Sequence, residues 1–329
     1  MTTSIHRRHV LASLAAMGAG AFGPLQALAQ EAYPGKGPIK LIVPLPAGGA
    51  ADATVRVLSA ALQTQMKQSF VIDNKPGGSF VIGMQAIAQA PADGYTLMHV
   101  NPGMCAAQAA LKKIDLLKTL TPISSMGTMP ALLVVPASSP IKSVKELIAA
   151  GAAKPGSLNY GSVGIGSLEH LWSSNFSKRN RLDAVHVPFK GMPDAATALA
   201  SGEVQFLSLV QILALSFIQK GMMRALAVID SHRVAALPNV PTLKELGYDE
   251  PPLVFWGGLA APKGTPPAII EMLRENIAAA VANPDVKAKL ASTGTTAMSS
   301  PTSAAFEAQI TQELAWLNDA VKAANLQLN

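Results

Sequence analysis

Cysteine is almost missing from this sequence: Cys105 is the only one in 329 residues. A lone cysteine excludes an internal disulfide and any thiolate metal cluster. Its expected place is as a small buried hydrophobe. Histidine is sparse as well. The six, at positions 6, 9, 99, 170, 186 and 232, include no i, i+4 pair and none beside clustered acids. Neither a metal site nor a cofactor is therefore expected. Aromatic residues make up 5% of the chain and charged residues 14%, and the lysines and arginines are scattered. That leaves no stacking platform or basic stripe, so nucleic acid is not an expected partner.

No apolar run is long enough to span a bilayer. The run from Val10 to Phe22 follows His6-Arg7-Arg8-His9 and is interrupted by Gly18 and Gly20, with Gly23, Pro24 and Ala27-Leu28-Ala29 after it. A positive start, a short apolar stretch and an A-x-A site make residues 1–29 a secretory signal peptide, which implies export to the periplasm. No cysteine follows it to carry a lipid. Arg7-Arg8 matches the twin-arginine pattern only in part, so the export route stays open. Removal of this segment takes away two arginines and leaves the chain, formally +6 in full, mildly basic.

What the sequence does contain is strand–helix alternation. "IKLIV", "FVIDN" and "YTLMHV" are apolar runs, with helices expected over about 52–66 and 81–90 between them and a helical patch near 104–111 after them. "ALLVVP" (131–136) follows. A second block opens with the capping box Ser143-x-x-Glu146 and continues through "LNYGSV", "AVHVPF", "EVQFLSL" and "MRALAVI", with helices starting at Ser167, Pro193 and about Ile212. Continuous apolar strands alternating with helices predict parallel sheets covered on both faces. In the last third, Thr265-Pro266-Pro267 reads as an N-cap with Pro at N1, opening a helix to about Asn283. A final helix from Thr302 or Ser303 carries Phe306, Ile310, Leu314 and Leu317 at helical spacing. These C-terminal helices are expected to cover the first block. The resulting division is 30–130 plus 230–329 for one domain and 131–229 for the other.

Three glycine-rich turns stand where a strand hands over to a helix: Ala47-Gly48-Gly49 before Asp52, Pro76-Gly77-Gly78-Ser79 before Val81, and "YGSVGIGS" at 160–167. None has the Lys–hydroxyl pair of a P-loop, and Gly161, Gly164 and Gly166 reverse the dinucleotide spacing. Nucleotides are thus disfavoured. Ser162 comes near a nucleophile elbow, with His186 or His232 as possible bases, but Tyr160 replaces the first glycine. A secreted serine hydrolase is consequently the alternative from another class. Free N–H groups at helix starts, together with Ser hydroxyls, suit a carboxylate bound in the crevice at the strand ends.

"YPGKGPIKLIVPLPAGGAAD", "VIDNKPGGSFVIGMQAIAQAPADGYTL", "LNYGSVGIGSLEHL", "VHVPFKGMPDAATALASGEVQ", "LPNVPTLKELGY" and "GGLAAPKGTPP" resemble, in that order, the substrate-binding proteins of tripartite tricarboxylate transporters, the Bug-type family. The resemblance implies a two-lobed α/β periplasmic-binding-protein fold of type II with a ligand cleft between lobes. It also implies a monomer without enzymatic activity. Such a protein would capture a small carboxylate for a permease of one large and one small membrane subunit, or present it to a signalling receptor. Carried over by position, the ligand site falls on Ala47, Gly48, Gly49 and Asp52, with Ser79 and Phe80, from one lobe. From the other come Ser162, Gly164, Gly166, Ser167, His170 and Lys190. Two departures from the family pattern add Leu45, where an aromatic is usual, and Ser208, in a strand (Gln205 to Leu209) that lacks the usual carboxylates. Loss of those acids predicts a ligand without an ammonium group, aromatic or dicarboxylic.

Overall fold

The computed structural model describes residues 33–324, and the signal peptide expected over 1–29 lies outside the described residues. The compact unit begins at Gly37. Its first block is β1 (Ile39–Val43), α1 (Ala50–Met66), β2 (Phe70–Asn74), α2 (Val81–Ala88) and β3 (Thr96–Val100). β1 lies between β2 and β3 and is parallel to both, with Ile39 opposite Phe70 and Leu41 opposite Leu97. Ile39, Leu41, Ile42 and Val43 are buried almost completely, as a strand covered on both faces requires. The chain continues through α3 (Pro102–Leu111) and the short α4 (Leu116–Thr119) into β4 (Leu120–Pro136), a strand of 17 residues.

The second block comprises α5 (Val144–Ala153), β5 (Asn159–Ser162), α6 (Leu168–Arg179), β6 (Val185–Pro188), α7 (Met192–Ser201), β7 (Leu207–Val210), α8 (Gln211–Gln219) and β8 (Met223–Val228). The Ser143 hydroxyl accepts the Glu146 N–H, while the Glu146 carboxylate reaches past the N-cap to the N–H of Lys142. β5 and β6 form a parallel pair. After β9 (Val254–Pro262), α9 (Pro267–Ala282), α10 (Pro284–Ser292) and α11 (Ser303–Ala324) complete the fold.

The principal sheet is mixed, not parallel throughout as its strand runs suggest. Its order is β2-β1-β3-β9-β4-β7, with β8 also paired to β4. β9 returns antiparallel between β3 and the first half of β4, and the second half of β4 pairs antiparallel with β7 and β8. Both of these strands carry residues that argue against a strand. β4 contains Pro122 and Gly127, accommodated where its register shifts against β9, and Pro130, at the last pair of that ladder. In β9, Gly258 is required by space: a Cβ there would sit 2.2 Å from Cζ of Phe306.

Two other expectations need correction. Pro266, not Thr265, precedes the first residue of α9, and the Thr265 hydroxyl turns back to the Pro262 carbonyl. The C-terminal helices also do not confine themselves to the first block. α9 packs on α1 and β4, but α11 lies against both α3 and α6. Its buried stripe of Phe306, Ile310, Leu314 and Leu317 is as expected, and Lys178 of α6 donates to the Ala323 carbonyl.

Cys105 is fully buried on α3, and burial raises its thiol well above the usual value, so it is an inert packing residue. Facing it from α11, Glu313 has its carboxyl pushed up to about 7 by burial, with the Trp256 and Trp316 side chains pulling the other way. A carboxyl that binds its proton more tightly when folded stabilises below the unfolded value near 4.5 and loses that contribution as pH rises through 7. Glu313→Gln is accordingly expected to be more stable than the parent at pH 8 by about 1–2 kcal/mol, a figure discounted for partial exposure, and no more stable at pH 4. Thermal unfolding at the two pH values measures this.

Candidate functional site

Five helix starts surround one cavity of about 500 Å³. The first is α1, reached from β1 through Pro44–Gly49. Gly48 takes a left-handed φ of +83°, and Gly49 is the N-cap without a side chain to satisfy the first amides. The loop is held from behind by Asp52. Its carboxylate accepts from the Gly48 N–H at 2.9 Å, from Arg56 Nε at 2.8 Å and from Asn74 Nδ2 at 3.0 Å. Asn74 also donates to the Leu45 carbonyl. The Arg56 bond, then the Gly48 and Asn74 bonds, outweigh burial and hold the Asp52 carboxyl down at about 2. Asp52 is thus an ionised brace whose oxygens are engaged by the loop's Gly48 N–H, by Arg56 of α1 and by Asn74 of β2.

The second turn places Ser79 (φ 51°) and Phe80 (φ 74°) consecutively in the left-handed region, which is costly for a bulky residue. That backbone carries Phe80 over the start of α3, where a Cβ on Gly103 would lie 3.2 Å from Phe80 Cζ. α3 itself is capped by Asn101, whose Oδ1 accepts the Met104 N–H, and Pro102 occupies N1.

Opposite stands the loop between β5 and α6. Ser167 caps α6 by accepting the His170 N–H, and His170 Nδ1 accepts the Gly166 N–H at 3.0 Å. The His170 ring stacks on His186 at 3.8 Å, and Tyr160 stacks on His186 in turn. Ser162 is fully buried: its hydroxyl accepts from the Gly164 N–H at 3.0 Å and lies 2.7 Å from His186 Nε2. Burial pushes both imidazoles down to about 4, and for His186 the His170 ring adds to it. Both rings are therefore neutral at pH 7, and His170 is available as the acceptor the loop needs.

Of the residues expected at the site, Leu45, Ser79, Phe80, Gly166 and Ser167 line the cavity. Ala47, Gly48, Gly49, Gly164, Ser162, His170 and Asp52 do not line it; they build the two loops that do. Ser208 is buried with its hydroxyl 3.1 Å from that of Ser173, and Lys190 is exposed; neither lines the cavity. Several lining residues were not anticipated. His99 and Asn101 come from the end of β3, and Met126, Gly127, Phe255 and Trp256 from the paired strands β4 and β9. Val210 and Ile212 stand at the start of α8, an uncapped helix end. The Asn-Pro pair closing an apolar strand was the one visible signal for Asn101, as an N-cap followed by Pro at N1. Among the described residues no lysine or arginine lines the cavity, and Glu169, its carboxyl raised by burial, is the one acid that does.

A mixed α/β fold with two such loops facing across a cleft is the two-lobed architecture of periplasmic solute-binding proteins. The chain belongs to the tripartite tricarboxylate transporter receptor family, whose model matches residues 54–326. It is 35% identical over 282 residues to protein BugT of Bordetella pertussis, covering 84% of this chain and 85% of that one. Among solved structures it is similar to an R. palustris protein with adipate, at a TM-score of 0.76, 30% identity, and 89% and 98% coverage. MatC from Rhodopseudomonas palustris with bound malate gives a TM-score of 0.72 and 26% identity, with 86% and 98% covered.

Proposed function

We propose that this protein is an exported periplasmic receptor that closes on a small organic acid and delivers it to the membrane permease of a tripartite transporter. The observation that carries this reading is the convergence of the α1 and α6 starts on one cavity without a cationic side chain. The ligand carboxylate is held by backbone amides and the positive ends of these helices, with Ser79 and Ser167 hydroxyls beside them. The adipate and malate bound in similar structures support a carboxylate ligand.

Residues 30–130 with 230–329 form one lobe in this reading and 131–229 the other, and β4 passes between them. Binding energy gained from both loops favours the closed arrangement. Turnover is not part of the role in this reading: the Ser162 hydroxyl lies 2.7 Å from His186 Nε2, as a hydrolase would need, but it is fully buried and also bonded to Gly164, and neither Ser162 nor His186 lines the cavity, which supports binding in place of hydrolysis. Thermal unfolding in the presence of mono- and dicarboxylates tests the proposal. A ligand at a hundred times its Kd should add about 2.7 kcal/mol, raising Tm by roughly 5 °C. Failure of every carboxylate to move Tm overturns it, as would ester hydrolysis abolished by Ser162→Ala.

A further inference from the structure

Three residues of the cavity wall carry a buried side-chain polar atom without a hydrogen-bond partner: Trp256 Nε1 is a donor, and the other two, on His99 and Asn101, are of opposite kind. His99 is 1% exposed, and its Nδ1 lies 3.2 Å from the Gly258 carbonyl. A carbonyl accepts only, so Nδ1 carries the proton and Nε2 presents a lone pair. Nε2 is buried and unpartnered. Burial holds the ring down at about 4, which keeps Nε2 an acceptor at neutral pH. Two residues on, Asn101 commits its Oδ1 to the Met104 N–H, which assigns Nδ2 as a donor, and Nδ2 too is buried and unpartnered. Asn101 is extended (φ −153°, ψ 164°), so positions 99 and 101 share a face of the strand, and both line the cavity.

We infer that His99 and Asn101 read a hydroxyl group on the ligand, and that the ligand is an aromatic or alicyclic hydroxy-monocarboxylate. This rests on the receptor reading above and sharpens it. A hydroxyl donates to Nε2 and accepts from Nδ2 at once. A carboxylate at that wall would set its oxygens against the Nε2 lone pair, and an ammonium group would leave the Asn101 N–H groups unmatched. The body between the two ends meets Phe80, Met126, Phe255 and Trp256, which favour a ring over a chain of polar groups. With no lysine or arginine in the lining, a second carboxylate would be buried without a counter-charge.

Calorimetry on the full mature protein with matched pairs tests this: benzoate and meta-hydroxybenzoate, phenylacetate and para-hydroxyphenylacetate, cyclohexanecarboxylate and its para-hydroxy derivative, with adipate and malate alongside. At least one hydroxylated acid should bind tenfold or more tighter than its parent, because the parent leaves two buried polar atoms unmatched. In His99→Phe, and in Asn101→Ser, which keeps a capping oxygen for α3, that ratio should fall toward one. Equal affinities within every pair, a ratio that survives both substitutions, or tighter binding of adipate or malate than of any hydroxylated ring would overturn the inference and leave the receptor reading standing. If no carboxylate of any kind binds, the receptor reading fails and the inference fails with it.

Discussion

Lowering the pH from 6.5 to 4 is expected to remove several kcal/mol of unfolding free energy, with His99, His170 and His186 as the main cause. All three rings are held near 4 by burial, below the ordinary 6.5. Between those two values the unfolded chain takes up protons that the folded one refuses, so stability falls as pH falls through this window and is unaffected above it. Each ring accounts for on the order of 3 kcal/mol. Glu313 and Glu169, whose carboxyls burial raises, work in the opposite sense and offset part of the loss. His170→Gln should therefore flatten the pH dependence of the denaturant midpoint between 6.5 and 4, and an unchanged slope would contradict the assignment. The effect reaches function, because a proton on His170 Nδ1 removes the acceptor for the Gly166 N–H and loosens a loop that lines the cavity.

Asp52→Ala is expected to cost about 3 kcal/mol and at least tenfold in affinity for whichever carboxylate binds. The depressed carboxyl alone corresponds to about 2 kcal/mol, present above the unfolded value of 3.8 and lost as pH falls to about 2. Truncation further deprives the Gly48 N–H and Asn74 of their partner, and with it the fixed path of residues 45–49. Asp52→Asn, which retains one acceptor, should lie between the parent and the alanine variant in both respects. Urea unfolding at pH 7 and calorimetry give the two numbers. An alanine variant with native stability and weakened binding would instead mean that Asp52 touches the ligand.

The loops at 45–52 and 160–170 were legible because their chemistry is local: glycine for left-handed φ, serine or aspartate for caps, proline to end a strand. Which atoms of a loop face inward is not local, because it depends on partners that the folded chain supplies. Asp52 and His170 bond back into their own loops, an outcome set by Arg56 and Asn74 in one case and by Gly166 in the other. The far wall was hidden for a different reason. Met126, Phe255 and Trp256 come together through the pairing of β4 with β9, strands disguised by Pro122, Pro130, Gly257 and Gly258. Those glycines follow from close approach: a Cβ at Gly257 would lie 2.8 Å from Met126 Cε and 3.0 Å from His99 Cε1. Nothing in the residues around them announces those neighbours.

The 17-residue strand β4 pairs with β9 along its first half and with β7 and β8 along its second, so in the two-lobed reading it belongs to both halves, and α11 packs on α3 and α6, one from each. Neither half could then be cut away as an independently folding piece. Excision at either end of the strand would expose an unpaired edge and uncover the apolar stripe of α11. A receptor built this way unfolds as a single cooperative body, and ligand gripped by either loop protects the whole chain from proteolysis.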